Sequence, residues 1–240
     1  RMLLLACACA AALAAIFKVP LAGILFAIEV FGLDLTLSSL LPLFVASLSG
    51  VLTSYIFFGN AALLPIYVGD SFLMHNIPFY LLLGVVGGFM SAYFTFVYEG
   101  VNRFFSKFSS AYLRIVIGGA ILGLLVFVMP PLYGEGHEVI NHLKAGHPEL
   151  SISSNIFGWN LENPWVVILL LGGLVLFKVV ATSVTFGAGG VGGIFSPMLF
   201  MGGVMGNCFA RIINQIDILP YKLPLANFTL IGMTALMTGV

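Results

Sequence analysis

Charge is what this sequence lacks most. Of its 240 residues only 8% are Asp, Glu, Lys or Arg, against about a quarter in an ordinary soluble domain. A larger core does not account for the shortfall, because a soluble chain of this size still has to cover itself in polar groups. Lipid is therefore the solvent for most of it. The few charges also balance, nine Lys+Arg against nine Asp+Glu, so nothing points to nucleic acid or to an oppositely charged partner. Cysteine is scarce too. Cys7, Cys9 and Cys208 all lie in apolar stretches, which reads as three small hydrophobes rather than a disulfide framework or a metal site. No cleavable signal pattern is visible. An intramembrane hydrolase would need a Gly-x-Ser-x-Gly elbow or a metal motif, and neither occurs. No resident cofactor is expected.

What the chain does have is apolar runs, 60% of its residues being hydrophobic. Eight segments of uneven length can be marked: Met2–Ile16, Leu21–Phe31, Leu37–Phe58, Phe79–Val101, Tyr112–Met129, Pro164–Thr185, Ile194–Ile213 and Phe228–Val240. A full span needs about 20 residues, so the first two cannot both cross alone. Backbone polar groups are not left bare in lipid, and short broken helices must be packed inside protein. The expected fold is all-α and polytopic, with broken or re-entrant helices, in an integral membrane protein of the plasma or inner membrane. The chain opens and closes inside apolar runs, at Arg1-Met2-Leu3 and at Thr238-Gly239-Val240. It is accordingly read as part of a longer protein, a single transmembrane domain over 1–240. Three polar loops set its orientation. Asn102–Ala111, with Arg114 just beyond, holds Arg103 and Lys107; Gly59–Pro78 has Asp70 and His75 but no Lys or Arg; Pro130–Asn163 has four glutamates against Lys144. The excess of positive charge places the middle loop in the cytoplasm and the flanking two outside.

Two stretches carry candidate chemistry. The first is Phe186–Pro197, with five glycines between Gly187 and Gly193. Each glycine costs a helix about 1 kcal/mol relative to alanine, so the run is a bare backbone that another group can approach closely. Pro197 fits the first turn of the helix that follows, and the N–H groups at that helix start suit an anion. Chloride has no geometry to satisfy. A few N–H groups and a hydroxyl can replace its water without the full positive charge that would trap it. The plainer alternative is close helix packing through glycines; the Phe195-Ser196-Pro197 sequence and its helix favour the anion. The second stretch is Phe17–Val30, where Pro20 and Gly23 restart a short helix that ends near Glu29. An ionisable residue in an apolar stretch is a functional candidate, and bracing of a neighbouring helix end stands equally beside that reading. Lys18, in the helix break, is expected to snorkel to an interface.

The two stretches carry a resemblance. Phe17–Val30 resembles the "PLAGILFxxE" stretch of the CLC family of chloride channels and proton-coupled chloride exchangers, and Gly192–Pro197 resembles that family's "GIFxP" chloride-binding motif. They stand in the expected order, separated by the expected spans, and the pattern of segments is similar along essentially all 240 residues. Pro131–Ile140 is similar to the family's extracellular linker. The resemblance implies chloride coordination by the main-chain amides of Ile194 and Phe195, with Gly193 giving room. Glu29, Gly192, Ser196 and Pro197 would support the pore or its gating. It also implies a homodimer with one pore per subunit, each pore built from two inverted repeats. The Ala-Leu pair shared by Ala10–Phe17 and Met233–Val240 would belong to those repeats, although small-residue helices often look alike. The family's "GSGIP" and "GxEGP" motifs are absent, so this chain holds a half-shell of the anion site. Glu29 matches the first of two acids that exchangers often carry, and Val30 replaces the second. On Val30 alone a passive channel is favoured, with a proton-coupled chloride antiporter or a fluoride-selective member as alternatives. Non-transport rivals are an intramembrane hydrolase or a helical scaffold.

One pattern is a decoy. His137-Glu-Val-Ile-Asn-His142 resembles a zincin motif, but helix-borne ligands need i, i+4 spacing. Five residues turn roughly 500°, which separates the two rings. Solvated loop histidines are expected, with a loose surface metal site at His137, His142 and His147 left open.

Overall fold

The computed structural model describes residues 1–60, 74–146, 163–217 and 219–239. Asp70 and His147 lie outside them. Every regular element among the described residues is helical, and the chain divides into two compact units, Arg1–Tyr67 and Val68–Val240.

The first unit packs three helices, α1 (Met2–Phe17), α2 (Pro20–Phe31) and α3 (Leu37–Phe58). Ala6, Ala10 and Ala14 recur every fourth residue of α1 and are fully buried. Small residues let backbones approach closely, which is how helices gain packing energy when lipid removes the hydrophobic drive. A Cβ at Gly23 of α2 or Gly50 of α3 would meet a carbonyl of α1 at 2.5 Å, so α1 is gripped from two sides. Lys18 stops α1 in a left-handed conformation (φ 58°), and Pro20 opens α2. Thr36 and Ser39 form a capping box at the start of α3. Lys18 Nζ donates to the Gly59 carbonyl and lies 4.4 Å over the Tyr55 ring, so its charge is held at the end of α3.

The second unit holds α4 (Ile77–Ser106), α5 (Ala111–Val128), α6 (His137–Lys144), α7 (Pro164–Gly187), α8 (Phe195–Ile216) and α9 (Leu225–Met237). Helices α3, α4, α5 and α7 are long and apolar enough to cross a membrane. Of these α7 is the most enclosed: 61% of its span is buried against protein, but only 6% of that of α5. It packs on α4, α5 and α8. The tightest pair is α8 with α9, where Gly202, Gly206 and Gly232 bring the two backbones together. A Cβ on any of the three would overlap the partner helix's main chain. Asn207 is fully buried within this pair and donates to Thr229 Oγ1 at 3.0 Å and to the Leu143 carbonyl at 3.2 Å.

One expectation needs correction. The histidine stretch is not a solvated loop: residues 137–144 form α6, with Val139, Ile140 and Leu143 buried on one face. That apolar spacing is the helical period, and Gly136 at φ 78° supplies the turn into it. The His137 side chain is only 13% exposed, with Nδ1 3.1 Å from the Glu135 carboxylate. His142 sits five residues further along, on another face. Among the described residues no group of three or more His, Cys, Asp and Glu is placed to hold a metal ion.

Candidate functional site

The glycine run divides into two kinds of residue. Gly187 is occluded, since a Cβ there would meet the Phe105 ring at 2.5 Å, and one at Gly190 would meet the Thr185 carbonyl at 2.7 Å. Gly189 takes φ 99°, a conformation that L side chains avoid, and with Gly190 it closes α7 through hydrogen bonds to the Phe186 and Thr185 carbonyls. Gly187 thus packs against another helix, whereas Gly189 and Gly190 turn the chain at the end of α7. Gly192 and Gly193 are different. A Cβ at Gly193 would meet nothing within 4 Å, and one at Gly192 only the edge of Phe186 at 3.8 Å. The space beside both is open.

That space is a cavity of about 500 Å³ whose wall includes Gly192, Gly193 and Pro197. Helix α8 starts beside it, with Ile194 at the cap and Phe195 as the first helical residue. A helix leaves its first N–H groups outside its own hydrogen-bond ladder and carries partial positive charge at that end. Pro197, at the third position, fits this first turn. Ser196 Oγ is buried and has no hydrogen-bond partner among the described residues, an arrangement that native structures seldom leave unexplained. Ile194 is 37% exposed and Phe195 half-buried. So Gly192, Gly193 and Pro197 share the cavity wall, with Ile194, Phe195 and Ser196 contiguous to it in sequence.

Further parts of the wall come from α5, through Leu122, Gly123 and Val126, and from α7. Lys178, Ala181, Thr182, Thr185 and Phe186 line the cavity at the i, i+3, i+4, i+7, i+8 spacing of a single helical face. Lys178 is 4% exposed. Its ammonium donates to the Leu132 carbonyl at 2.9 Å and the Gly134 carbonyl at 2.6 Å, and stands 4.9 Å over the ring of Phe200, a residue of α8. It thereby ties the segment after α5 to α7 and α8. Phe200 also fills the room a Cβ would take at Gly136. Lys178 is not among the sequence candidates, although one lysine in a 24-residue apolar helix is itself the signal of function. The wall is otherwise mainly apolar, which strengthens the field of each fixed charge.

Glu29 and Val30 belong to the other unit. Both are exposed, in the last turn of α2, and Val30 is 57% exposed. Among the described residues the Glu29 carboxylate makes no hydrogen bond or ion pair that would brace a neighbouring helix end. Near a helix C-terminus it also gains nothing from the dipole. The loop between α4 and α5 is held by Arg114 Nε, which donates to the Phe108 carbonyl at 2.7 Å, while Arg103 pairs with Glu99 at 2.9 Å along the exposed surface of α4.

Comparison with known proteins places this chain in a family. The family model described as voltage gated chloride channel matches residues 1–240. A relative described as the voltage-gated ClC-type chloride channel ClcB, from Citrobacter koseri, is 27% identical over 210 residues, covering 87% of this chain and 46% of the relative. The crystal structure of a CLC-type fluoride/proton antiporter superposes with a TM-score of 0.61 at 21% identity, covering 92% of this chain and 51% of that one. At that identity the likeness is one of fold. The chain spans about half the length of both proteins.

Proposed function

The chain belongs to the voltage-gated chloride channel family, and from that premise we propose that this multi-pass membrane protein forms part of a pathway carrying chloride and other small monovalent anions across the membrane. The observation that carries the reading is the start of α8. There two glycines open onto a cavity, and the buried Ser196 hydroxyl, three residues on, has no hydrogen-bond partner among the described residues. The amides of Ile194 and Phe195 take the anion, and Gly193 keeps the approach clear. Amides and a hydroxyl provide partial charges only, so the anion is held and then released. The remaining donors come from outside these 240 residues, and the assembly is a homodimer with one pathway per subunit.

Within that reading a passive channel is favoured over a proton-coupled antiporter because Val30 offers no carboxylate to carry a proton. Fluoride selectivity is the further alternative, and repeating the following test under a fluoride gradient addresses it. The test is reconstitution of the intact protein in liposomes under a chloride gradient, with both ions followed. A channel moves chloride and leaves the proton gradient flat. Stoichiometric uphill proton movement would replace the channel reading with the antiporter.

A further inference from the structure

We propose that the α7 wall of this cavity carries a second anion subsite, formed by the Lys178 ammonium and the Thr182 hydroxyl, for a small monovalent anion such as chloride. It rests on the anion-transport reading of the same cavity and adds to it a fixed cationic partner.

The charge balance around Lys178 leads there. An ammonium has three N–H donors. Two of them go to the carbonyls of Leu132 and Gly134, and the remaining close neighbour is the face of Phe200. All three are neutral. Among the described residues no carboxylate lies within 4.0 Å of Lys178. Glu135 acts on it only from further away, being itself 69% exposed and paired with His137. A buried charge with no counter-charge is strongly unfavourable. The ammonium thus has two carbonyls and a ring face around it but no carboxylate, and it lines a cavity large enough for an ion.

Thr182 supplies the second group. It is 7% exposed and lines the cavity one turn along from Lys178. Its neighbours spend their hydroxyls on the helix itself: Ser183 Oγ donates to the Val179 carbonyl at 2.7 Å, and Thr185 Oγ1 to the Ala181 carbonyl at 2.8 Å. The Thr182 hydroxyl makes no such bond among the described residues. An ammonium and a hydroxyl on one helical face, in a cavity also lined by glycines that present no side chain, fit an ion of one charge and small radius. With mainly apolar walls, they do not fit a polyanion.

The experiment is crystallography of the intact protein in bromide, comparing anomalous density in the wild type, Thr182→Val and Lys178→Met. The wild type should show density within hydrogen-bond distance of Thr182 Oγ1 and Lys178 Nζ, in addition to density at the amides of Ile194 and Phe195. Thr182→Val keeps the shape of the side chain and should abolish the α7 density alone, lowering calorimetric chloride affinity by about tenfold, as expected for one lost hydrogen bond to a charged group. Lys178→Arg should retain the α7 density. Should Lys178→Met fail to fold for want of its carbonyl contacts, Thr182→Val still decides. Bromide at the amides alone refutes the subsite and leaves the transport reading standing, whereas bromide at neither place refutes both. Density on the α7 wall that survives Thr182→Val refutes the assignment to these two residues.

Discussion

Replacing Gly193 with valine separates an open glycine from a packed one. The backbone at Gly193 is outside the left-handed region and a Cβ there meets nothing within 4 Å, so the fold should accept the side chain. A change of this kind, away from packed or strained features, shifts stability by less than about 0.5 kcal/mol. The branched side chain would occupy the open space beside the cavity that Gly193 lines, next in sequence to the amides of Ile194 and Phe195. A hydrogen bond to a charged partner is worth about 1.5–3 kcal/mol. Blocking one amide should therefore weaken anion binding by about ten- to a hundredfold. The assay is calorimetric titration of the solubilised intact protein with chloride and bromide, alongside melting curves in anion-free buffer. Wild-type affinity in the variant would refute backbone coordination at this helix start. A variant that loses binding but also melts early without anion would show Gly193 to be a packing residue after all.

Gly206→Ala should behave in the opposite way. Its Cβ would overlap the Phe228 carbonyl of α9, and overpacking of that kind destabilises by about 1–3 kcal/mol, seen as a lower melting temperature with or without anion. Thr36→Ala removes the capping box at the start of α3 and should cost about 1 kcal/mol, read as earlier proteolysis or melting of the first unit. His137 gives a pH dependence. Burial, aided by the Lys178 ammonium and opposed by Glu135, pulls its imidazole below the ordinary value of 6.5. The fold therefore prefers the neutral ring. The stability this contributes is present above the unfolded value and is lost as the pH falls through the lowered one. Between about pH 7.5 and about pH 5 the melting temperature should drop, and His137→Gln should flatten that slope.

Helix positions were largely legible in the sequence because apolar run length decides them. Leu37–Phe58 forms α3 as marked, and the segment marked Pro164–Thr185 continues only to Gly187. Helices α4 and α8 run past the marked ends, α4 to Ser106 and α8 to Ile216, where Arg103 and Asn214 break the apolar run without breaking the helix. Helix α6 was legible in the spacing of Val139, Ile140 and Leu143, but its flanking glycines drew attention to loop formation instead. The roles of the glycines were not legible. Nothing local distinguishes Gly187 from Gly193. The difference is Phe105, more than eighty residues away in sequence, which fills the space beside one and not the other. Lys178 escaped for a related reason: composition averages a single charge away, and its partners at Leu132 and Gly134 are set by tertiary packing.

The most direct test of the central claim is chloride efflux from liposomes carrying the intact protein, measured side by side for wild type and Gly193→Val. The account predicts protein-dependent efflux that the substitution slows by about tenfold or more, in proportion to the weakened site, while the variant remains folded. It is contradicted if chloride, bromide, nitrate and fluoride all stay inside the vesicles, or if valine at position 193 leaves the efflux rate untouched.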